Sequence, residues 1–404
     1  MDETAEFSEL SNGVRIATRR MRGARGAALG VWLINGVRHE SPDEAGYAHL
    51  IEHLLFKGSA EHPQLALARR FEAMGGRINA HTGRELSALH GRVPAGDAPA
   101  LLELFVSMLT RPGFTGHDLE LEREVVLQEI AGIEDDPVEL IEERGIALAW
   151  RDHPLGQPIL GRVEVIGRAG TADLRRYLSG RLSGQRLCVV AAGDIDPAQL
   201  VERCAALAAL PAGEPPAVRP PEFHPGDHGR RGAPGQAHLL WLMPTAGDAD
   251  ARGPAWLMAN HALGGGVSSR LFQALREQRG LVYEIYSRVE LYSDAGLWLV
   301  QTACDPRRAG ECRAVVEDAL AALAADGPTV EELDTARAQL DAELTLEADD
   351  PEAAMERLAR DVIYRGRGRT VTEQRRALAD VGTADVAAAV RASHARRLHL
   401  HWRR

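Results

Sequence analysis

Apolar residues recur along this chain with two different periods, and this contrast separates short strands from helices. Runs that are continuously apolar, or that alternate with polar residues, predict strands bounded by turn residues. The predicted strands lie at 24–35, 78–82, 85–93, 187–194, 236–244, 281–289, 295–303 and 397–402. Apolar residues spaced at three and four predict helices at 44–56, 97–110, 118–150, 253–265, 306–325 and 330–365.

The order of these elements favours a duplicated α+β architecture. Strand and helix runs are mixed without strict alternation, which indicates antiparallel or mixed sheets packed with helices. The same succession occurs twice, on either side of a Pro- and Gly-rich stretch at 211–235 that has no clear periodicity. We therefore expect two tandem α+β domains, at 1–210 and 236–404, joined by a linker at 211–235.

Composition excludes several classes of protein. The 404 residues are 45% hydrophobic and carry a formal net charge of -11, which argues against general affinity for nucleic acid or for an anionic membrane. No apolar run reaches the roughly 18 residues that a transmembrane helix needs. The 4 cysteines contain no C-x-x-C pair, and the basic residues are almost all Arg, in the style of a GC-rich bacterial genome. We expect a protein of the bacterial cytoplasm.

The segment from His49 to His53 reads H-x-x-E-H within one of the predicted helices. Two His at positions i and i+4 project from the same helix face, so both imidazoles can reach one metal ion. Glu52 lies on the flank of that face, where it can contact water bound to the metal. Two satisfied or solvent-facing histidines would show the same spacing, so the motif alone suggests a metal site without establishing one.

Zinc catalysis requires a third protein ligand and one open position. The acidic helix at 119–130 carries Glu122 and Glu129 two turns apart, on one face, and its apolar residues indicate that one side is buried. A carboxylate at that boundary could supply the third ligand, although most of these acids are expected to be solvated. His399 and His401 also face one side of a strand, where we favour an exposed sheet edge over a second metal site.

Four segments extend the pattern over nearly the whole chain, and they resemble the pitrilysin/insulinase zinc metallopeptidases, the inverzincins. The chain looks most like the processing-peptidase branch of about 400 residues. The matching segments are GYAHLIEHLLFKGS at 46–59, GGRINAHTGRE at 75–85, EREVVLQEI at 122–130 and LGGGVSSRLFQALREQRGLVY at 263–283.

The resemblance implies a role for each matching position. It implies one Zn²⁺ per protomer, bound by His49, His53 and Glu129, with Glu122 orienting a ligand. Glu52 would be the general base that activates the zinc-bound water. The remaining implied residues bind substrate: Asn79 and Ala80 on a strand that peptides extend, and the pair Arg276 and Tyr283. His81 departs from the family, which more often has an aromatic Tyr or Phe there, so the subsite preference is open.

The resemblance implies a zinc endopeptidase that cleaves unfolded peptides inside a clamshell chamber, and a homodimer whose sites are shared between protomers. The alternative is a non-catalytic or partner-dependent subunit of a peptidase heterodimer, because the family contains members that lack either the zinc motif or the Arg/Tyr pair. A zinc-dependent binding protein is a third possibility, but it would not need Glu52. This chain keeps both the zinc motif and the Arg/Tyr pair, which favours a self-sufficient enzyme.

Overall fold

The computed structural model describes residues 4–231 and 235–403, which form two compact units. The first unit contains the chain up to Ala131, together with Gln157–Ala217 and Leu344–Val371. The second unit contains the other segments, which are Gly132–Gly156, Val218–Glu343 and the chain from Thr372 onward. Neither unit is therefore one continuous half of the chain, in contrast to the expected division at a single linker.

Strands within the described residues form two mixed sheets. They are β1 (Glu6–Glu9), β2 (Arg15–Arg20), β3 (Gly26–Leu33), β4 (Arg77–Thr82), β5 (Ser87–Pro94), β6 (Leu187–Gly193), β7 (Gly226–Arg231), β8 (Ala237–Thr245), β9 (Val282–Leu291), β10 (Gly296–Cys304) and β11 (Leu398–Arg403). The first sheet has the order β1-β2-β6-β3-β5-β4 and the second has the order β7-β11-β8-β10-β9. Apart from β1, each sheet has five strands, which can be numbered one to five by their order along the chain. In both sheets their spatial order is then first, fifth, second, fourth, third. In each sheet only the first and fifth of these strands, β2 with β6 and β7 with β11, pair in parallel. The predicted α+β class and tandem repeat are confirmed.

Helices cover the sheets and account for most of the remaining chain. They are α1 (Tyr47–Leu55), α2 (Gln64–Met74), α3 (Ala98–Thr110), α4 (Gly116–Asp135), α5 (Pro137–Ala149), α6 (Val163–Arg168), α7 (Thr171–Arg181), α8 (Pro197–Arg203), α9 (Gly253–Gly264), α10 (Ala309–Asp326), α11 (Val330–Ala348), α12 (Pro351–Arg365), α13 (Val371–Ala379) and α14 (Thr383–His394). Within the described residues, no helix is both long and apolar enough to cross a bilayer.

The two longest predicted helices are each divided in two. The prediction at 118–150 covers α4 and α5, and the prediction at 330–365 covers α11 and α12. Each break has an Asp followed by Pro, and the Asp side chain caps the second helix: Asp136 accepts a hydrogen bond from the Val138 amide, and Asp350 from the Glu352 amide. Proline fits the first turn of a helix but not its interior, so the continuous prediction was wrong at these points.

Helices α5 and α12 explain why the units are interleaved. Ile141 and Ile146 of α5 pack in the core beside β8 of the second unit, whereas Met355 and Leu358 of α12 pack beside Val190 of β6 in the first. An apolar stripe indicates that a helix is buried but not which sheet covers it, so the sequence division could not anticipate this exchange.

The predicted linker at 211–235 is not entirely irregular. Its residues Gly226–Arg231 form β7, which pairs in parallel with β11. The segment GDHGRR lacks apolar residues, so its main-chain pairing leaves no hydrophobic pattern to detect. Residues 232–234 of the predicted linker lie outside the described part of the structure.

Candidate metal centre

The H-x-x-E-H segment lies on helix α1, whose buried residues Leu50, Ile51 and Leu54 anchor it to the core of the first unit. The imidazole rings of His49 and His53 face each other edge to face with centroids 4.7 Å apart. The predicted helical spacing therefore brings the two rings together.

Glu40 holds the beginning of α1. Its buried carboxylate accepts hydrogen bonds from the amides of Gly46, at 2.9 Å, and Ala48, at 2.7 Å, which otherwise have no partner at a helix start. Burial raises the pKa of Glu40 to about 7, although these two backbone hydrogen bonds oppose the shift. Gly46 has a φ of 98°, and a Cβ there would lie 2.7 Å from the Gly161 Cα, so glycine is required at this turn.

Helix α4 brings Glu129 to the two histidines. The Glu129 Oε2 atom lies 3.7 Å from His49 Nε2 and 3.6 Å from His53 Nε2. One ligand atom from each of these three residues lies within 4.8 Å of the others. Ligands at zinc bond lengths of 2.0–2.2 Å in a tetrahedron are about 3.3–3.6 Å apart, so the observed separations suit one ion at their centre.

Glu122 lies on the other side of the His53 ring from Glu129. The two glutamates share one face of α4, so this face contacts both ring nitrogens of His53. Its Oε2 accepts a hydrogen bond from His53 Nδ1 at 2.8 Å, which leaves the Nε2 lone pair directed toward Glu129. The other carboxylate oxygen forms an ion pair with Lys57. Burial opposes ionisation here, but the hydrogen bonds from Lys57 and His53 hold the pKa of Glu122 below its usual value.

Lys57 is the only lysine of the chain, and its role was not identified from the sequence. The signal available was its position in the FKGS segment directly after α1, where one sequence cannot distinguish a specific contact from chance.

His49 differs from His53, because its Nδ1 is buried without a hydrogen-bond partner among the described residues. Burial lowers the pKa of His49 to about 4, so its imidazole is neutral at pH 7 and can act as a ligand.

Glu52 lies beside the cluster at an apolar pocket lined by Ala48, Ile51, His81 and Leu89, among other residues. Its Oε2 is buried and has no hydrogen-bond partner among the described residues. Burial raises the pKa of Glu52, and the Glu129 carboxylate adds to this shift. A carboxylate held this way has an enhanced affinity for a proton.

Asn79 and Ala80 lie on β4, the terminal strand of the six-stranded sheet within the described residues. Strand β4 pairs with β5 on one side, and helix α1 contacts it. The predicted substrate strand is therefore an edge strand whose outer main-chain groups can pair with an extended peptide.

Arg276 and Tyr283 come together in the second unit. Arg276 lies in the last turn of a π-helical segment at Phe272–Glu277, and its guanidinium carbon lies 5.1 Å from the centre of the Tyr283 ring. The ring of Phe272, a residue outside the predicted site, has its centre 4.9 Å from the same guanidinium carbon. Tyr283 is 81% exposed, which is unusual for an aromatic side chain on a strand and leaves its hydroxyl available to a ligand.

Two family models match successive parts of this chain. Residues 15–163 match the family model described as insulinase (peptidase family M16), and residues 170–340 match the one described as peptidase M16 inactive domain. An uncharacterized zinc protease of Streptomyces coelicolor is 33% identical over 96% of this chain and 87% of its own length. An uncharacterized zinc protease of Bacillus subtilis is 30% identical over 90% of this chain and 89% of its own length.

Two solved structures share the fold. A peptidase M16 inactive domain from Pseudomonas fluorescens superimposes with a TM-score of 0.90 at 19% identity, covering 98% of both chains. A protease from Helicobacter pylori superimposes with a TM-score of 0.91 at 17% identity, covering 100% of both. The fold and the sequence matches agree, and this chain belongs to the insulinase family, peptidase family M16.

Proposed function

We propose that this protein is a zinc-dependent endopeptidase that hydrolyses unfolded peptides. The observation that carries the proposal is the convergence of His49, His53 and Glu129, with Glu52 beside them. The donor set suits zinc, because two imidazoles and one carboxylate leave a fourth position open, as in catalytic zinc sites. The zinc proteases among its relatives support the same assignment.

Each side chain of the first unit has a distinct task in this proposal. Glu122 holds His53 with its Nε2 toward the ion, and Glu129 completes the set. Zinc, when bound, supplies a Lewis acid that polarises the scissile carbonyl. Glu52 accepts a proton from the attacking water and delivers it to the leaving amine, a role that its raised pKa favours.

The substrate is an extended peptide that pairs with β4 through its main chain, near Asn79 and Ala80. The apolar pocket beside Glu52 would receive one of its side chains, with His81 altering the preference. A folded domain has its strands already paired and cannot add one to β4. We therefore expect insulin-sized unfolded peptides to be cleaved and a compact native protein to survive.

Digestion of a peptide library, read by mass spectrometry, tests this function and its substrate class together. Cleavage should stop when a chelator removes zinc and should return when zinc is restored. Rapid internal cleavage of a stably folded control protein would contradict the restriction to unfolded substrates. Absence of any cleavage by zinc-loaded protein would favour the non-catalytic subunit, the alternative to which the inactive-domain match points.

Arg276 and Tyr283 complete the site in this proposal by donating hydrogen bonds to the developing oxyanion. The protein is a homodimer in which this pair comes from the partner chain. Co-expression of Glu52→Gln with Arg276→Ala tests the arrangement. A mixed dimer with shared sites contains one intact site and regains activity. Mixed dimers that form but remain as inactive as either parent would refute shared sites.

A further inference from the structure

A second cluster of ligand-type side chains lies in the second unit, on the parallel pair of strands β7 and β11. The pairing places His399 opposite Asp227 and His401 opposite Gly229, so all four positions share one face of the sheet. The expectation of an exposed sheet edge is wrong here, because β11 lies between β7 and β8 and His399 is only 2% exposed.

His399 has the orientation of a metal-binding imidazole. Its Nδ1 donates a hydrogen bond to the Leu240 carbonyl at 3.1 Å, and its ring stacks on Trp241 with centroids 4.6 Å apart. The Nε2 lone pair is consequently fixed in direction, and that atom is buried without a hydrogen-bond partner among the described residues. Metal-ligating histidines commonly donate their second nitrogen to a backbone carbonyl in this way.

Asp227 is oriented by a partner of its own. Its Oδ2 accepts an ion-paired hydrogen bond from Arg313 at 2.7 Å, while its Oδ1 lies 3.4 Å from His401 Nδ1. Arg313 also pairs with Glu317 at 2.8 Å, so its charge is shared between two carboxylates. The Asp227 Oδ1 atom therefore remains directed toward the two histidines.

Gly229 makes room for the third side chain. A Cβ at this position would lie 2.6 Å from His401 Nε2, so any other residue would displace the imidazole. One ligand atom from each of Asp227, His399 and His401 lies within 4.8 Å of the others. The 3.4 Å separation between Asp227 and His401 is close to the roughly 3.3 Å edge of a tetrahedral zinc site.

We infer that Asp227, His399 and His401 bind one divalent transition-metal ion of the Zn²⁺ class, at a structural site distinct from the His49, His53 and Glu129 cluster. The ion fastens β7 to β11. Strand β7 is the terminal strand of its sheet among the described residues and contributes no apolar side chain to the core. A metal cross-link supplies the attachment that hydrophobic packing does not.

The test is metal binding by the full-length His49→Ala/His53→Ala variant, which lacks the first cluster. Titration with Co²⁺, read by its visible absorption, and zinc content by elemental analysis should both give one ion per chain. Asp227→Asn and His401→Asn, added singly to that variant, should each weaken binding at least about 10-fold. His228→Asn is the matched control, because His228 lies on β7 but faces the opposite side, opposite Leu400.

Circular dichroism of each variant establishes that it is folded. Asp227 is substituted because it is half-exposed, so the change avoids disturbing the buried His399. A folded His49→Ala/His53→Ala protein that binds no ion would overturn the inference. Binding that is equally strong after His401→Asn would also overturn it, because the ion would then occupy another place. Retained binding after His228→Asn, with loss after Asp227→Asn, is the pattern we expect.

Discussion

Replacing Glu122 by Gln should weaken zinc binding without removing any ligand. Glu122 accepts from His53 Nδ1 with one oxygen and from Lys57 with the other. A glutamine offers only one oxygen. If that oxygen faces His53, the amide NH₂ group meets the Lys57 ammonium, and two donors oppose each other. If it faces Lys57, the NH₂ group donates to His53 Nδ1 and forces the proton onto Nε2, the atom that would bind zinc.

The expected loss of zinc affinity follows from the position of Glu122, which orients the ligand His53. Loss of a residue that orients a metal ligand costs about 10–100-fold in metal affinity, or roughly 1.4–2.7 kcal/mol. We expect the upper part of that range, because Glu122 is buried and His49 has no comparable partner among the described residues. A substitution to Asp, which keeps two oxygens, should recover part of the loss.

Competition with a chromogenic chelator measures the zinc dissociation constant directly. Glu124→Gln is the matched control, since Glu124 is an exposed carboxylate on the same helix. The reasoning is refuted if Glu122→Gln binds zinc as tightly as wild type and Glu124→Gln do.

Two further predictions concern residues on either side of the site. Glu129→Gln should lower zinc affinity at least about 10-fold. Glu134→Gln, at an exposed position on the same helix, is the control and should not lower it. Equal zinc content in both variants would show that Glu129 is not a ligand. Glu40 has a folded-state pKa of about 7, above its unfolded value of 4.5, so its contribution to stability is complete below pH 4.5 and is lost as the pH rises through 7. In zinc-free protein the melting temperature of wild type relative to Glu40→Gln should therefore fall over that range, by the equivalent of at most about 3 kcal/mol. A difference that is constant with pH would contradict the raised pKa.

Local geometry explains which parts of the site could be predicted from the sequence. Positions i and i+4 of a helix face the same way in any fold, so His49 and His53 could be paired before any tertiary contact was known. Glu122 and Glu129, two turns apart, likewise share one face of α4 in any fold. What spacing could not provide was the packing of α4 against α1, and Glu129 was singled out only by resemblance to a family.

Contacts that depend on tertiary structure were missed for the same reason. Glu40 caps α1 from six residues before Gly46, and Lys57 meets Glu122 across 65 positions of chain, which no local pattern encodes. The pairing of β7 with β11 and the packing of α12 on the first sheet could also not be predicted from the pattern of apolar residues. A strand held by main-chain hydrogen bonds has no apolar signature, and an apolar helix face does not specify its sheet.

The turnover of Glu52→Gln at matched zinc content tests the central claim most directly. The substitution removes the proposed base but no proposed ligand, so the variant should bind as much zinc as wild type. Hydrolysis of a fluorogenic peptide should then fall by about 100-fold or more, since general-base catalysis typically contributes 10²–10⁴-fold. A zinc-loaded Glu52→Gln protein that cleaves the peptide at the wild-type rate would contradict the account.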